Sequence, residues 1–197
     1  MGSELKIVLA SSSPRRRGLI EELGFDFITV EPSSDESSDH PDPRIRVIEN
    51  AEAKVRSISL LFSDSLIVGA DTIVFLDGVF LGKPVDQDDA KKMLELLSGK
   101  NHQVYTGLAI LDTSTGKMLS KVSCTDVRFK RLSQEVIAAY VASGEPLDKA
   151  GAYGIQGDGG VFIADIVGSY SNVVGLPLEL LREMLEKSRL GLSKESI

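Results

Sequence analysis

Lys6 to Val30 reads KIVLASSSPRRRGLIEELGFDFITV, and this stretch decides the fold class. Lys6-Ile7-Val8-Leu9-Ala10 is a short apolar run of the length of a buried strand. Ser11-Ser12-Ser13 makes a loop. Ser13 is placed to cap a helix, because its side-chain oxygen can take a free N–H of the first turn. Pro14 suits the first helical position, where no N–H is needed. Leu19, Ile20 and Leu23 lie on one face, and Gly24 is a natural C-terminal stop. Phe25 to Val30 returns as a second strand. Strand, capped helix and strand in succession point to an α/β chain.

The rest of the chain continues the alternation. Glu31 to Asp42 is a polar Ser/Asp/Pro stretch, expected as a mobile loop. Asp42-Pro43 opens a helix to about Phe62, with Ile45, Ile48, Val55 and Ile58 near helical spacing. Leu66 to Leu76 is a buried strand interrupted by Asp71. Asp77-Gly78 is a hairpin signal, and Val79-Phe80-Leu81 returns. Asp86 caps a helix carrying Ala90, Met93, Leu94 and Leu97. Strands over His102–Leu111 and Met118–Phe129 follow, joined by a Thr-Ser-Thr-Gly turn. Ser133 starts a helix ending near Gly144. Glu145 to Gly160 is glycine-dense and aperiodic. A strand over Val161–Val167, a loop and a helix over Pro177–Arg189 complete the chain, with 191–197 expected as a frayed tail. Helices alternating with strands, plus two hairpins, predict an α/β fold with a mixed sheet and flanking helices. The whole chain, 1–197, is expected as one domain.

Composition removes several function classes. At 197 residues and 42% hydrophobic content the chain can bury a core without staples. The net charge of −7 argues against nonspecific nucleic-acid binding, while a local Arg/Lys cluster can still bind a free nucleotide. A lone cysteine, Cys124, excludes an internal disulfide and fits a reducing compartment; its place in a strand reads as a buried thiol. His40 and His102 lack metal-ligand spacing, so zinc is not expected. No run is long enough to span a membrane, and the N-terminus lacks signal-peptide and myristoylation patterns, so the expected address is the cytoplasm.

Five places could carry chemistry. Ser11-Ser12-Ser13-Pro14-Arg15-Arg16-Arg17 puts hydroxyls and guanidinium groups at a helix N-terminus, which suits phosphate. Cations there oppose the helix dipole unless an anion is present; a solvated basic patch is the alternative. Asp71 would be expensive to bury unpaired. It reads as a strand-edge carboxylate able to bind a metal or act as a base, or as an Asp satisfied by backbone donors. Gly82-Lys83-Pro84 fixes the backbone around one lysine, although alone it is a common turn. Lys54, four residues after Asn50 on a helix, alone reads as solvated. The run Gly144 through Gly157 can let backbone approach a ligand closely, or can be a flexible connection. Asp35 and Glu36, in the polar loop, are unreadable alone.

Together these segments resemble the Maf-like nucleotide pyrophosphatases. The resemblance is carried by Ala10-Ser11-Ser12-Ser13-Pro14-Arg15-Arg16, Gly69-Ala70-Asp71-Thr72, Gly82-Lys83-Pro84, Tyr105-Thr106-Gly107, Gly144 through Gly157 and Ser169 through Pro177, in order along nearly the whole chain. It implies two lobes around a central cleft, similar to inosine triphosphate pyrophosphatases, a homodimer, and hydrolysis between the α and β phosphates with a divalent metal. Asp71 matches the proton acceptor. Ser11, Arg15, Arg16, Glu36, Lys54 and Lys83 match polar positions around the phosphates and metal. Arg15, Thr72 and Gln156 match positions that mark the dTTP/UTP branch. Gly18 departs from relatives that often carry Glu there, which puts a local ion pair in doubt.

The implied chemistry is coherent. Arg15, Arg16, Lys54 and Lys83 would neutralise the triphosphate, Asp71 and Glu36 would hold Mg²⁺ or Mn²⁺, and Asp71 could take the water proton. The expected partner is a nucleoside triphosphate, with no nucleic acid and no membrane. Two rivals stand beside this: a non-catalytic nucleotide-binding regulator of septum formation, and a purine-type house-cleaning pyrophosphatase.

Overall fold

The computed structural model describes residues 6–34 and 37–188. Glu36, Asp35 and the tail 191–197 lie outside the described residues. The elements run β1 (Lys6–Ala10), α1 (Pro14–Glu21), β2 (Phe27–Val30), α2 (Pro43–Ile58), β3 (Ser65–Leu76), β4 (Val79–Leu81), α3 (Gln87–Leu97), β5 (Asn101–Asp112), β6 (Lys117–Phe129), α4 (Gln134–Ala142), β7 (Ile163–Val167), α5 (Tyr170–Val174) and α6 (Leu178–Glu186). The sheet order is β2-β1-β3-β5-β6-β7, with β4 paired to β3. β1 is parallel to β2 and β3, whereas β3–β4 and β6–β7 are antiparallel, so the sheet is mixed as expected.

Local chemistry explains the helix starts. Ser13, Asp42, Asp86 and Ser133 each accept a first-turn N–H with the side chain, from Arg16, Arg44, Asp89 and Val136. Asp77 and Gly78 both have positive φ, 50° and 87°, as a tight hairpin turn requires.

Two compact units are present. One takes Met1–Asp71, Thr106–Ser123 and Gly175–Ile197; the other takes Thr72–Tyr105 and Cys124–Val174. The first has a core of Val8, Ala10, Ala51, Val55, Ile58, Ile67 and Ala109. The second is built on Val74, Leu94, Leu97, Val127, Ile137 and the rings of Phe129, Tyr140, Tyr153 and Phe162.

Three expectations are corrected. The buried face of α2 holds Val47, Asn50, Ala51, Lys54, Val55 and Ile58, whereas Ile45 is exposed. Cys124 is exposed rather than buried, because β6 turns Thr125, Val127 and Phe129 inward and its neighbours outward. The loop before the last helix contains α5, whose first turn is capped by Ser169 Oγ accepting from Asn172 N–H at 3.3 Å.

His102 gives the second unit a pH dependence. It is 2% exposed, pairs through Nε2 with the Tyr153 hydroxyl at 2.8 Å, and stands edge-on to Phe129. Burial lowers its pKa to about 4 from 6.5. The unfolded chain therefore binds the extra proton between those values. The contribution is complete above the unfolded pKa and is lost as pH falls toward 4. The loss is roughly 3 kcal/mol between neutral pH and pH 4. Urea unfolding of wild type and His102→Gln across that range tests this: the variant keeps a partner for Tyr153 and should lose most of that slope.

Candidate active site

The site in the first unit is built around a carboxylate that the fold buries. Asp71 lies in β3 at 3% exposure, and Lys54 on α2 at 4%. Two close approaches seat that helix on the sheet. A Cβ at Gly69 would stand 2.6 Å from the Ala51 carbonyl oxygen, and one at Gly107 would overlap the Val47 carbonyl. Asn50 and Lys54, one turn apart, therefore face the same strand. Lys54 Nζ donates to Asp71 Oδ1 at 2.7 Å and to the Ala70 carbonyl at 3.1 Å. Asn50 Nδ2 donates to Asp71 Oδ2 at 2.9 Å. Asp71 is thus neither a strand-edge acid nor one satisfied by backbone donors, and Lys54 is not a solvated helix lysine. Opposite charges leave water together, which is the condition under which burial is tolerable.

Asn50 also reaches the polar loop. The Ser38 N–H donates to Asn50 Oδ1 at 3.1 Å, and Ser38 Oγ donates to Glu49 at 2.5 Å. The chain just after Glu36 is therefore tied to the helix that holds Asp71.

The serine-arginine loop leaves β1 and enters α1. Ser11 is buried; its Oγ accepts from Ser13 N–H at 3.1 Å. Arg15 and Arg16 are half-buried and Arg17 is exposed. Arg16 Nε donates to the Gly175 carbonyl at 2.8 Å, and Arg17 Nη2 to Thr29 Oγ1 at 3.1 Å. The basic patch is thus partly fixed from within, and Arg16 contributes a hydrogen bond to the fold besides its charge. Gly18 has open space around it, with nothing within 4 Å of an added Cβ.

The second unit carries Thr72, Lys83 and Gln156. Thr72 is half-buried, Lys83 and Gln156 are exposed. The Gly151 N–H donates to the Gly82 carbonyl at 3.0 Å, joining the glycine-rich run to the Gly82-Lys83-Pro84 turn. That run is not a slack connection. It folds as short 3-10 turns over Glu145–Asp148, Ala150–Ala152 and Asp158–Phe162, with Ala152 and Tyr153 buried.

Residues 6–188 match the profile of the family described as Maf-like protein. The chain belongs to the Maf family. It is 43% identical to a dTTP/UTP pyrophosphatase of Methanosarcina barkeri over 98% of either chain. It is 48% identical to one of Moorella thermoacetica over 91% of this chain and 93% of that one. Among solved structures, the Ham1 protein of Staphylococcus aureus shares the fold, with a TM-score of 0.51 at 12% identity over 93% of this chain and 100% of that one. The resemblance read from the motifs is borne out at the level of the family.

Within this Maf chain, the expected metal pair of Asp71 and Glu36 has one described member. Among the described residues no group of three His, Cys, Asp or Glu could hold a metal ion. The Asp71 carboxylate is the hard oxygen donor that a divalent ion such as Mg²⁺ takes, and Mg²⁺ is commonly held by one or two carboxylates together with phosphate oxygens. Asp71 Oδ1 accepts from Lys54 and Oδ2 from Asn50, and a carboxylate oxygen can accept more than one such bond. No motif singles out Asn50, four residues before Lys54. The available signal was a polar residue one turn before that lysine on a helix with an apolar stripe.

Proposed function

We propose that this Maf-family protein hydrolyses dTTP and UTP to the nucleoside monophosphate and pyrophosphate, as a cytoplasmic homodimer. The near-full-length match to relatives named dTTP/UTP pyrophosphatases carries the activity, and the buried, doubly held Asp71 supplies a carboxylate for it. A lone thiol accords with a reducing compartment. Among the described residues no helix is long and apolar enough to cross a membrane.

In this assignment Ser11, Arg15 and Arg16 bind phosphate at the α1 N-terminus, where free N–H groups and guanidinium charge add, and Lys83 adds a further cation. A water oxygen bonds to phosphorus, the bridging P–O bond breaks, and the water proton passes to Asp71. Lys54 and Asn50, each bonded to one of its oxygens, hold that carboxylate in place. Asp71, with Glu36, would hold Mg²⁺ or Mn²⁺, which when bound supplies charge neutralisation on the phosphoryl oxygens. Chelation with EDTA is expected to stop pyrophosphate release and added Mg²⁺ or Mn²⁺ to restore it; full turnover in chelator refutes the metal.

Base choice is the sharper test. Uracil and thymine show two carbonyl acceptors flanking an N–H. The amide of Gln156 offers both donor and acceptor to that edge, and Thr72 and Arg15 add donors. Cytosine places an amine where uracil has a carbonyl, a mismatch of about 1–3 kcal/mol, or roughly tenfold to a hundredfold in kcat/KM. The expected order in a pyrophosphate-release panel is dTTP and UTP, then CTP, then purine triphosphates, with Gln156→Ala flattening it. A purine at the head of the order assigns the protein to the purine-type branch. No turnover of any nucleotide leaves a binding regulator.

A further inference from the structure

Gln156 stands on a turn whose two shoulders are fastened to each other by a single bridge. The Gly154 N–H donates to the Tyr140 hydroxyl at 3.2 Å, and that hydroxyl donates to Glu145 Oε1 at 2.9 Å. The other carboxylate oxygen, Glu145 Oε2, accepts from the Asp158 N–H at 3.1 Å. The residues two before and two after Gln156 are therefore linked through a phenol and a carboxylate. Between them Ile155, Gln156 and Gly157 make the crown, and Gln156 is its one polar side chain.

The bridge is itself held. The Tyr140 ring is buried and stands edge-on to Phe162 at 4.9 Å. Burial, and then the bond to Glu145, push its phenol well above the usual range, so it stays a neutral donor. Lys149 Nζ donates to the Glu145 carbonyl at 2.5 Å, fixing the backbone of that residue. The glycines make room for it: a Cβ at Gly157 would overlap the Glu145 carboxylate, and one at Gly154 would stand 2.6 Å from the Lys149 side chain.

An exposed glutamine on a free loop would have to be ordered at each binding event, and an amide discriminates donor from acceptor only when held within hydrogen-bond geometry. We propose that Tyr140 and Glu145 are positioning residues for base specificity, holding the 154–158 turn so that Gln156 presents its amide to a pyrimidine edge in one orientation. This rests on the assignment of Gln156 to base recognition made above. Neither side chain touches the nucleotide in this scheme; each acts through the turn.

The test is kcat/KM for UTP and CTP, with melting temperatures, on wild type, Gln156→Ala, Tyr140→Phe, Glu145→Gln and the double variant Gln156→Ala/Tyr140→Phe. Tyr140→Phe keeps the ring in the core and removes only the hydroxyl. Glu145→Gln keeps the shape and turns an amide donor on one of its two bonded neighbours. Each is expected to lower the UTP-to-CTP preference about tenfold, chiefly through KM for UTP, with no further loss on the Gln156→Ala background. A purely structural role instead lowers both nucleotides in proportion and leaves the ratio intact. A ratio lost in Gln156→Ala but kept in both single variants overturns the proposal alone, as does an additive double variant or failure of both variants to fold. A wild type without UTP preference, or a Gln156→Ala that retains it, overturns the base assignment and the proposal with it.

Discussion

Asp71→Asn is expected to lower kcat by about 10²-fold or more while UTP still binds, because it removes the proposed general base without changing the side chain's shape. The structure adds a second consequence. Asp71 accepts from Lys54 on one oxygen and from Asn50 on the other. An asparagine must turn its NH₂ toward one of those donors, and Lys54 remains a buried cation with its counter-charge gone. Breaking a buried pair from one side typically costs about 3–5 kcal/mol. Turnover and unfolding should therefore fall together, and kinetics are to be read where the variant is still folded, with UTP binding measured by calorimetry. Near-normal kcat in the folded variant moves the base role away from Asp71, with Glu36 the next candidate.

Lys54→Met carries the other large effect. It fills similar volume with a flexible apolar chain and leaves Asp71 buried on one neutral donor. The expected loss is again about 3–5 kcal/mol in urea unfolding. The double variant Lys54→Met/Asp71→Asn separates stability from chemistry. With both charges gone no ion is left unpaired, so the double should be clearly less destabilised than the sum of the singles, while pyrophosphate release stays as low as in Asp71→Asn. Strict additivity of the two losses would show that the pair is not coupled and that Lys54 acts elsewhere.

What could be read from the chain follows from how local each cause is. The four caps at Ser13, Asp42, Asp86 and Ser133 and the Asp77-Gly78 turn are decided by neighbours within a few residues, and all were legible. The inner face of α2 was not. Apolar spacing favoured Ile45 and Ile48, whereas the fold buries Asn50 and Lys54 because their partner, Asp71, comes from a strand beyond the helix. No periodicity reports a polar residue in a core. Cys124 shows a subtler limit: the strand was legible but its phase was not, since Val-Ser-Cys-Thr gives little contrast between the two faces. Of the candidate site, the positions of Ser11, Arg15 and Arg16 at a helix start could be read, while the Lys54–Asp71 pairing needed the structure.

The packing of the glycine-rich run bears on how such a sequence can drift. An added Cβ at Gly151, Gly154, Gly157, Gly159 or Gly160 would come within 3 Å of Val74, Lys149, Glu145, Tyr140 or Ile155 respectively. At Gly18 and Gly82 nothing stands in the way. Loops ordinarily accept replacement more readily than cores, but here an alanine must displace something at each place: the ends of the Lys149 and Glu145 side chains at Gly154 and Gly157, and backbone carbonyls at Gly159 and Gly160. Drift at Gly159 and Gly160 is therefore constrained as in an interior, because no second substitution removes a backbone carbonyl, although part of the segment meets solvent.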